Sequence, residues 1–304
     1  MKKRKKAQYR YYEISEEEVV LALTGKEWIR EYGNDIDCLH FHNYLEVGIC
    51  YGGEGEIILG QETYSFEEGS LVVIPPYFLH TTNSKKGTKA YWEWFYFDVE
   101  AVIQEMDGKQ SGEISNIKRR IFLKAHYIEK KKNQRLKILL EQIRLECLEK
   151  KYFYQESVKG LLKSFLIEIL RMNEGEKESL GQTSLITPAI SYVNDHYHEL
   201  LYISDLAKAC NMSESHFRKV FEMNMNMKPL DFIHLVRIQN ACNLMKWTEK
   251  SMKEISYQIG FENISTFNRN FKKLLGISPY QWKKSAQNYE AKLKNYRISA
   301  YRGW

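Results

Sequence analysis

The spacing of the apolar residues changes along this chain of 304 residues. Between residues 40 and 98, apolar positions form short runs that are rich in β-branched and aromatic side chains and are separated by Gly, Pro and Asn. Runs of this kind predict the short strands of a β-barrel or sandwich. The predicted strands are Leu45–Cys50, Glu56–Leu59, Glu62–Phe66, Leu71–Ile74 and Ala90–Phe97.

From about residue 133 the apolar residues instead recur at helical spacing, first over 136–148 and then over 158–169. Residues 173–184 are polar, include glycine and follow no period, which indicates a linker between two domains. Everything beyond Pro188 is helical in pattern. The predicted fold class is α+β with several domains: a β-barrel over 1–130, a helical segment over 131–172, the linker over 173–184, an all-α domain over 185–286 and a tail over 287–304.

Length and composition fit two soluble domains. A chain of 304 residues exceeds what one hydrophobic core usually serves, and 43% hydrophobic with 28% charged residues is typical of globular proteins. No apolar run reaches the roughly 18 residues of a membrane helix, so no membrane association is expected. The basic segment Lys2–Lys6 is not followed by an apolar stretch, so it is not a secretory signal. The five cysteines lack metal-ligand or redox spacing, and reduced thiols in the cytoplasm are therefore expected.

The charge of the chain is unevenly distributed. Residues 185–304 hold 17 lysines and arginines against 10 aspartates and glutamates, which gives a net charge of +7. Residues 11–184 hold 22 against 29, which gives a net charge of −7. The basic half is therefore the candidate for contact with nucleic acid.

The helical domain contains an internal repeat of 49 to 50 residues. Each copy has a short helix, a tight turn and a second helix, which is the pattern of a helix-turn-helix unit. Asn211 in the first copy and Gly260 in the second stand at the turn, where a left-handed backbone is needed. Between the copies, residues 229–247 are predicted to form one long helix. The corresponding residues are Leu206 and Ile255, Met212 and Phe261, Phe217 and Phe267, Phe221 and Phe271, and Pro229 and Pro279.

Residues 185–285 resemble the DNA-binding domain of the AraC/XylS family of transcription regulators. The strongest match is 255–282, with Gly-Phe at 260–261 and a Phe-x-x-x-Phe-Lys core followed by Gly-x-x-Pro. The resemblance implies that two recognition helices enter successive major grooves of double-stranded DNA, held apart by the long helix. Arg269 is the best candidate for a bidentate guanine contact, although a plain solvated face is the alternative for any single side chain. From the resemblance and the polar helix faces, the candidate DNA-contacting residues are Ser215, His216, Arg218, Lys219, Ile264, Ser265, Asn268, Arg269 and Lys272.

The first domain carries a second motif. The first part is His40-x-His42-x-x-x-Glu46, and the second runs from Gly69 through Pro75 to His80. Together they resemble the two motifs of the cupin β-barrel. In enzymatic cupins the residues that match His40, His42, Glu46 and His80 bind a divalent metal, and such a set suits iron, manganese, zinc or nickel. Alternation places the first three on one strand face. The alternative is a polar rim of an effector pocket or a packed barrel mouth, and no cofactor is required for a regulator.

Alternation along Ala90–Phe97 places Trp92, Trp94 and Tyr96 on one face of a strand. Aromatic walls beside carboxylate and imidazole groups suit a sugar, and many members of the resembled family control carbohydrate genes. A plain aromatic core is the alternative. The predicted effector-contacting residues are His42, Glu46, His80, Trp92, Trp94 and Tyr96.

These features predict a sequence-specific transcription regulator that responds to a small effector, with a cupin-like effector domain, a helical dimerisation segment and two helix-turn-helix units. The resemblance implies a homodimer that contacts through 131–172, activation as the commoner outcome, and RNA polymerase as a partner of an activator. No enzymatic activity is expected. The alternative is a metal-dependent cupin enzyme with an accessory DNA-binding module.

Overall fold

The computed structural model describes residues 8–12, 14, 18–33, 39–104, 111–174, 185–225, 227–286 and 299–302. The chain divides into two compact units, Met1–Ser179 and Leu180–Trp304. The basic arm Lys2–Lys6, most of the predicted linker and most of the predicted C-terminal tail lie outside the described residues. None of the helices in the described ranges is both long and apolar enough to span a bilayer.

The first unit begins with two β-sheets. Its strands are β1 (Gln8–Tyr11), β2 (Val20–Leu23), β3 (Ile29–Arg30), β4 (His40–His42), β5 (Leu45–Gly52), β6 (Gly55–Leu59), β7 (Glu62–Phe66), β8 (Leu71–Ile74), β9 (His80–Ser84), β10 (Ala90–Phe97) and β11 (His126–Ile128). One sheet has the order β1-β4-β9-β6-β7, and the other has the order β11-β8-β5-β10-β2 with β3 also paired to β10. Neighbouring strands are antiparallel except β1 and β4, which are parallel.

The inner faces of the two sheets pack against each other. Phe66 of β7 meets Trp92 of β10 edge-on, with ring centroids 5.0 Å apart. No hydrogen-bonded ladder joins the two sheets within the described residues, so the predicted cupin-like barrel is an open one. The predicted bounds of β7, β8 and β10 match the observed ones, while β1, β2, β3, β9 and β11 were not predicted.

Helices cover the outer face of the second sheet. They are α1 (Val99–Gln104), α2 (Ser111–Ile121), α3 (Gln134–Glu149) and α4 (Tyr154–Met172), and a short 3-10 helix, Lys26–Trp28, precedes β3. Phe97 of β10 packs against Phe165 of α4 with ring centroids 5.8 Å apart, and both side chains are fully buried. Each such burial stabilises the unit by about 1.5–3 kcal/mol. The predicted helical stretches 136–148 and 158–169 thus fall within α3 and α4.

The second unit is helical. Its helices are α5 (Thr187–His196), α6 (Ile203–Ala209), α7 (Glu214–Met225), α8 (Pro229–Trp247), α9 (Met252–Gln258), α10 (Ile264–Leu275) and α11 (Pro279–Ala286), and a short strand β12 covers Ser299–Arg302. Pro229 stands in the first turn of α8, as predicted, where its missing N–H leaves no helical hydrogen bond unmade.

The two helix-turn-helix units are α6–α7 and α9–α10. Their turns are left-handed as predicted, with φ of 54° at Asn211 and 86° at Gly260. Asn263 caps α10 by accepting a hydrogen bond from the Thr266 amide at 2.8 Å. The aromatic side chains that the repeat aligns are fully buried: Phe217, Phe221, Phe267 and Phe271. The fold is therefore a β-rich cupin-like unit followed by an all-α unit with two helix-turn-helix motifs, as predicted.

Candidate nucleic-acid interface and interior polar site

The second helices of the repeat, α7 and α10, present the predicted polar faces to solvent. Ile264, at the start of α10, is only half-buried. The predicted contact residues that are exposed are Ser215, His216, Arg218 and Lys219 on α7, and Ser265, Asn268, Arg269 and Lys272 on α10. The structure therefore places the predicted residues on two separate solvent-facing surfaces of the second unit.

The charged side chains on these faces differ in their partners. The Arg218 guanidinium donates from Nε and Nη2 to Glu214 Oε1, at 3.1 Å and 2.6 Å. Lys219, Arg269 and Lys272 have no acidic partner within the described ranges. Three of the four predicted lysine and arginine side chains are therefore available to an anionic ligand, while the fourth, Arg218, is held by a carboxylate.

A buried arginine fixes the turn of the second helix-turn-helix unit. Arg237 of α8 donates from Nε to the Tyr197 carbonyl at 2.7 Å and from Nη2 to the Glu199 carbonyl at 2.8 Å. Its guanidinium also lies 5.6 Å from the centre of the Phe261 ring. Gly260 fits against this arrangement because a Cβ there would approach the Tyr197 oxygen to 2.7 Å. The orientation of α10 thus depends on close packing behind it.

A cluster of buried polar side chains lies between the two sheets of the first unit. It includes His40 and His42 of β4, His80 of β9 and Glu46 of β5, all buried. The prediction that the first two histidines share one strand face with Glu46 is wrong, because a bend separates β4 from β5 and the two strands belong to different sheets. The side chains still converge because the inner faces of the two sheets oppose each other.

Backbone carbonyls set the tautomers of two histidines. His42 Nδ1 bonds to the Tyr44 carbonyl at 2.9 Å, and His80 Nδ1 bonds to the Phe78 carbonyl at 2.8 Å. Since a carbonyl only accepts, each Nδ1 carries the hydrogen, and in the neutral ring Nε2 has a lone pair. His42 Nε2 contacts Glu46 Oε2, and His80 Nε2 lies 3.4 Å from the same oxygen.

The charges of the cluster follow from burial. Burial lowers the pKa of His42, against the attraction of the Glu46 carboxylate, and so favours the neutral ring. Burial alone would raise the pKa of Glu46, but His42 and His80 outweigh it and hold that pKa well below its ordinary value. Within the described part of the chain, His42 Nε2, His80 Nε2 and Glu46 Oε2 have no hydrogen-bond partner. A proton shared between His42 and Glu46, a donor beside the cluster, or a cation coordinated by all three atoms would satisfy them.

Arg10 of β1 belongs to the cluster and was not predicted. Its Nη1 lies 3.2 Å from His40 Nε2, and a guanidinium only donates, so His40 accepts. Burial, followed by the charges of His80 and Arg10, holds the pKa of His40 well below its ordinary value. Ligand atoms of His40, Glu46 and His80 lie within 4.8 Å of one another, a donor set that suits a divalent cation. Because Arg10 engages His40, the donors left for such a cation are His42, Glu46 and His80.

The predicted aromatic residues point into the same interior. Tyr96 lies edge-on to His42 at 5.3 Å and stacks on Tyr12, a second residue that was not predicted, with centroids 3.7 Å apart. The rings of Trp92 and Trp94 instead stack on each other at 4.9 Å. The structure therefore brings Tyr96 to the polar cluster, whereas the two indoles cover each other as the core interpretation expects.

The outer face of β10 carries a buried ion pair that the sequence did not reveal. Glu93 is fully buried, and Arg144 of α3 donates from Nε to its Oε2 at 2.5 Å. The Tyr91 hydroxyl and the Gly25 amide donate to Glu93 Oε1 at 2.5 Å and 3.1 Å. The strand that lines the interior site is thus tied directly to α3.

Comparison with known proteins finds a matching family model for each of the two units. An AraC-like ligand-binding domain model matches residues 33–166, and a helix-turn-helix domain model matches residues 206–285. YfiF, an HTH-type transcriptional regulator of Bacillus subtilis, is 23% identical over 249 residues, which cover 79% of this chain and 77% of that protein. The lactose operon transcription activator of Staphylococcus xylosus is 29% identical over 98 residues, which cover 32% of this chain and 35% of that protein. The crystal structure of fatty-acid-bound ToxT from Vibrio cholerae matches 87% of this chain and 93% of that chain with a TM-score of 0.43 and 16% identity.

Proposed function

Because the chain belongs to the AraC/XylS family of transcription regulators, we propose that it recognises a specific DNA site in response to a small effector held by its first unit. Its named relatives are transcription regulators, which supports a regulatory role over an enzymatic one. The observation that carries the proposal is the pair of exposed recognition helices, α7 and α10, with Arg269 and Lys272 free of acidic partners within the described residues.

Two variants on α10 test DNA recognition. Arg269→Ala is expected to cost about 1–3 kcal/mol on the preferred sequence and to relax selection at one base pair, since a bidentate guanine contact is lost. Lys272→Ala is expected to weaken binding to all sequences alike and to lower the salt slope by about 1, because a phosphate contact is lost. The measurement is fluorescence anisotropy with fragments of the source genome and competitor DNA at several salt concentrations. Equal, sequence-independent losses for both variants would contradict the assignment, as would wild-type protein without any preferred fragment.

The proposed effector is an uncharged molecule rich in hydroxyl groups, such as a sugar. A hydroxyl can donate to the imidazole lone pairs of His42 and His80 or to Glu46, which lack donors within the described ranges. The Tyr96 ring beside them offers an apolar wall. A lactose operon activator among the relatives also supports this class of effector.

A thermal-shift screen of the full chain against sugars tests the effector proposal. A sugar that binds only the folded protein raises the melting temperature by mass action. Tyr96→Phe is expected to reduce that rise because it removes one hydroxyl from the site, while Tyr64→Phe, on another strand, leaves it unchanged. Failure of every sugar to raise the melting temperature, or an equal rise in wild type and Tyr96→Phe, would contradict the proposal.

A divalent cation is a second proposed occupant of the cluster, held by His42, Glu46 and His80. Two imidazoles oriented by backbone carbonyls and one carboxylate suit such an ion, which would supply positive charge beside Glu46. Elemental analysis of protein purified without chelator is expected to find metal that His80→Ala loses and that His198→Ala, an exposed control, retains. Trace metal in the wild type, or equal metal in both variants, would argue against the cation.

We also propose a homodimer through α3. Ile138, Leu145 and Leu148 are 59%, 37% and 52% exposed, and their spacing of seven and three residues forms one apolar stripe. Sedimentation of the full chain is expected to show a dimer that Leu148→Lys weakens and that the exposed control Lys86→Glu, outside 131–172, leaves intact. A monomeric wild type would exclude this interface.

The proposed direction of regulation is activation through RNA polymerase. The name of the staphylococcal relative supports activation. Transcription in vitro from a promoter fragment that the protein binds is expected to rise with added protein and effector, and a fall would indicate a repressor instead.

A further inference from the structure

The two recognition helices differ in charge. The segment 264–275, which forms α10, contains three cationic residues and no carboxylate, whereas α7 contains two cationic residues and two carboxylates, Glu214 and Glu222. Both carboxylates are exposed on α7, the helix that the first helix-turn-helix unit would place in a major groove. Phosphates repel a carboxylate that lies near DNA. We therefore expect α7 to bind nucleic acid weakly unless its side chains make favourable contacts with base edges.

One of these carboxylates holds an arginine in a defined place. Glu214 is in the first turn of α7, and Arg218 follows one turn later and donates to it twice. The two side chains are 47% and 50% exposed, so the pair adds little to stability. What the contact does is direct the guanidinium toward the N-terminal turn of the helix, which is the part of a recognition helix that faces base edges.

Resting on the proposed DNA-binding function, we propose that Glu214 is a specificity-determining residue and that Glu214 and Arg218 together recognise one G·C base pair. In the major groove that pair presents the guanine N7 and O6 acceptors beside the cytosine N4 amino donor. Arg218 supplies the donors and Glu214 the acceptor, and the two are already joined side by side. An A·T pair presents its donor and its second acceptor in the opposite order, so the pair of side chains does not fit it.

The same charges give the two recognition helices, α7 and α10, different roles in binding. Arg269 and Lys272 on α10 supply salt-dependent attraction to any duplex, because no acidic partner competes for them within the described residues. In α7, Glu214 weakens that attraction because phosphates repel it. It strengthens binding only where it accepts a hydrogen bond from the matching base pair. Binding without sequence preference therefore depends mainly on α10, to which α7 adds only the cation of Lys219, while Glu214 and Arg218 contribute discrimination.

Selection from random-sequence duplexes, together with the salt dependence of binding to one arbitrary 30-base-pair duplex, tests the proposal. Glu214→Gln is expected to tighten binding to the arbitrary duplex several-fold and to steepen the salt slope by about 0.9, since Arg218 is released to a phosphate. It is also expected to lose the G·C preference at one position of the selected site, and Arg218→Ala should lose the same position. Glu222→Gln, which removes the same charge two turns further along α7, is the control and should keep that preference.

The outcomes separate this proposal from the broader one. If the wild type selects no sequence at all, DNA-specific regulation itself is wrong. If the wild type selects a site and both Glu214→Gln and Arg218→Ala keep every base preference, Glu214 does not determine specificity. Equal tightening by Glu214→Gln and Glu222→Gln with unchanged selection would show an effect of net charge alone and would also overturn the proposal.

Discussion

Replacing Gly260 by alanine is expected to destabilise the second helix-turn-helix unit more than the same replacement at Asn211 destabilises the first. Both residues have a left-handed backbone, with φ of 86° and 54°, which costs an alanine about 1–2 kcal/mol. At Gly260 a Cβ would also lie 2.7 Å from the Tyr197 carbonyl oxygen and 2.9 Å from Arg237 Nη2. These two residues are hydrogen-bonded to each other, so neither group can retreat without breaking that bond. The crowding adds about 1–3 kcal/mol.

The expected losses are therefore about 2–5 kcal/mol for Gly260→Ala and about 1–2 kcal/mol for Asn211→Ala. Hydrogen exchange of the intact chain, followed by mass spectrometry of peptides from α6–α7 and α9–α10, reports the free energy of local opening in each unit. The difference corresponds to an increase in exchange rate over wild type that is roughly 5-fold to 150-fold larger for α9–α10 in Gly260→Ala than for α6–α7 in Asn211→Ala. Equal losses of protection would refute the argument that close packing behind the turn, and not only the backbone angle, requires glycine.

Three further predictions concern titratable groups in the interior. Arg144→Met is expected to destabilise the first unit by about 3–5 kcal/mol in urea unfolding, because it strands the buried Glu93 carboxylate, and adding Glu93→Gln should recover part of the loss. Burial lowers the pKa of His234 to about 4, so the unfolded chain takes up a proton first and the second unit should lose stability as the pH falls from 6.5 to 4. His234→Gln should flatten that loss in melting curves, and an unchanged slope would contradict it. Arg10→Met removes a positive charge beside His40 and should tighten zinc binding roughly tenfold or more in calorimetry, whereas weaker binding would show that Arg10 does not oppose a cation.

Local patterns were sufficient to predict most of the elements. Strands such as β7, β8 and β10 are bounded by turn residues next to them in the chain, and the helix-turn-helix repeat encodes its core in the spacing of four phenylalanines. The division between β4 and β5 could not be predicted in this way. Asn43, in the bend between them, pairs its side chain with the amide and the carbonyl of Tyr12, both at 2.9 Å. That contact joins residues 31 positions apart, and the spacing of apolar residues within either segment does not predict it.

The interior site shows the same limit in its chemistry. The motif around His40 was sufficient to predict which imidazoles and which carboxylate meet, but the same four residues suit a metal centre, an effector pocket or a packed core. Which of these three the site is depends on the group that contacts the lone pair of each histidine ring. Arg10 takes that of His40, while backbone carbonyls turn the lone pairs of His42 and His80 toward Glu46. A site with one guanidinium already inside favours a neutral donor over a second positive charge, and for this reason a hydroxyl-bearing effector is the stronger of the two proposed occupants.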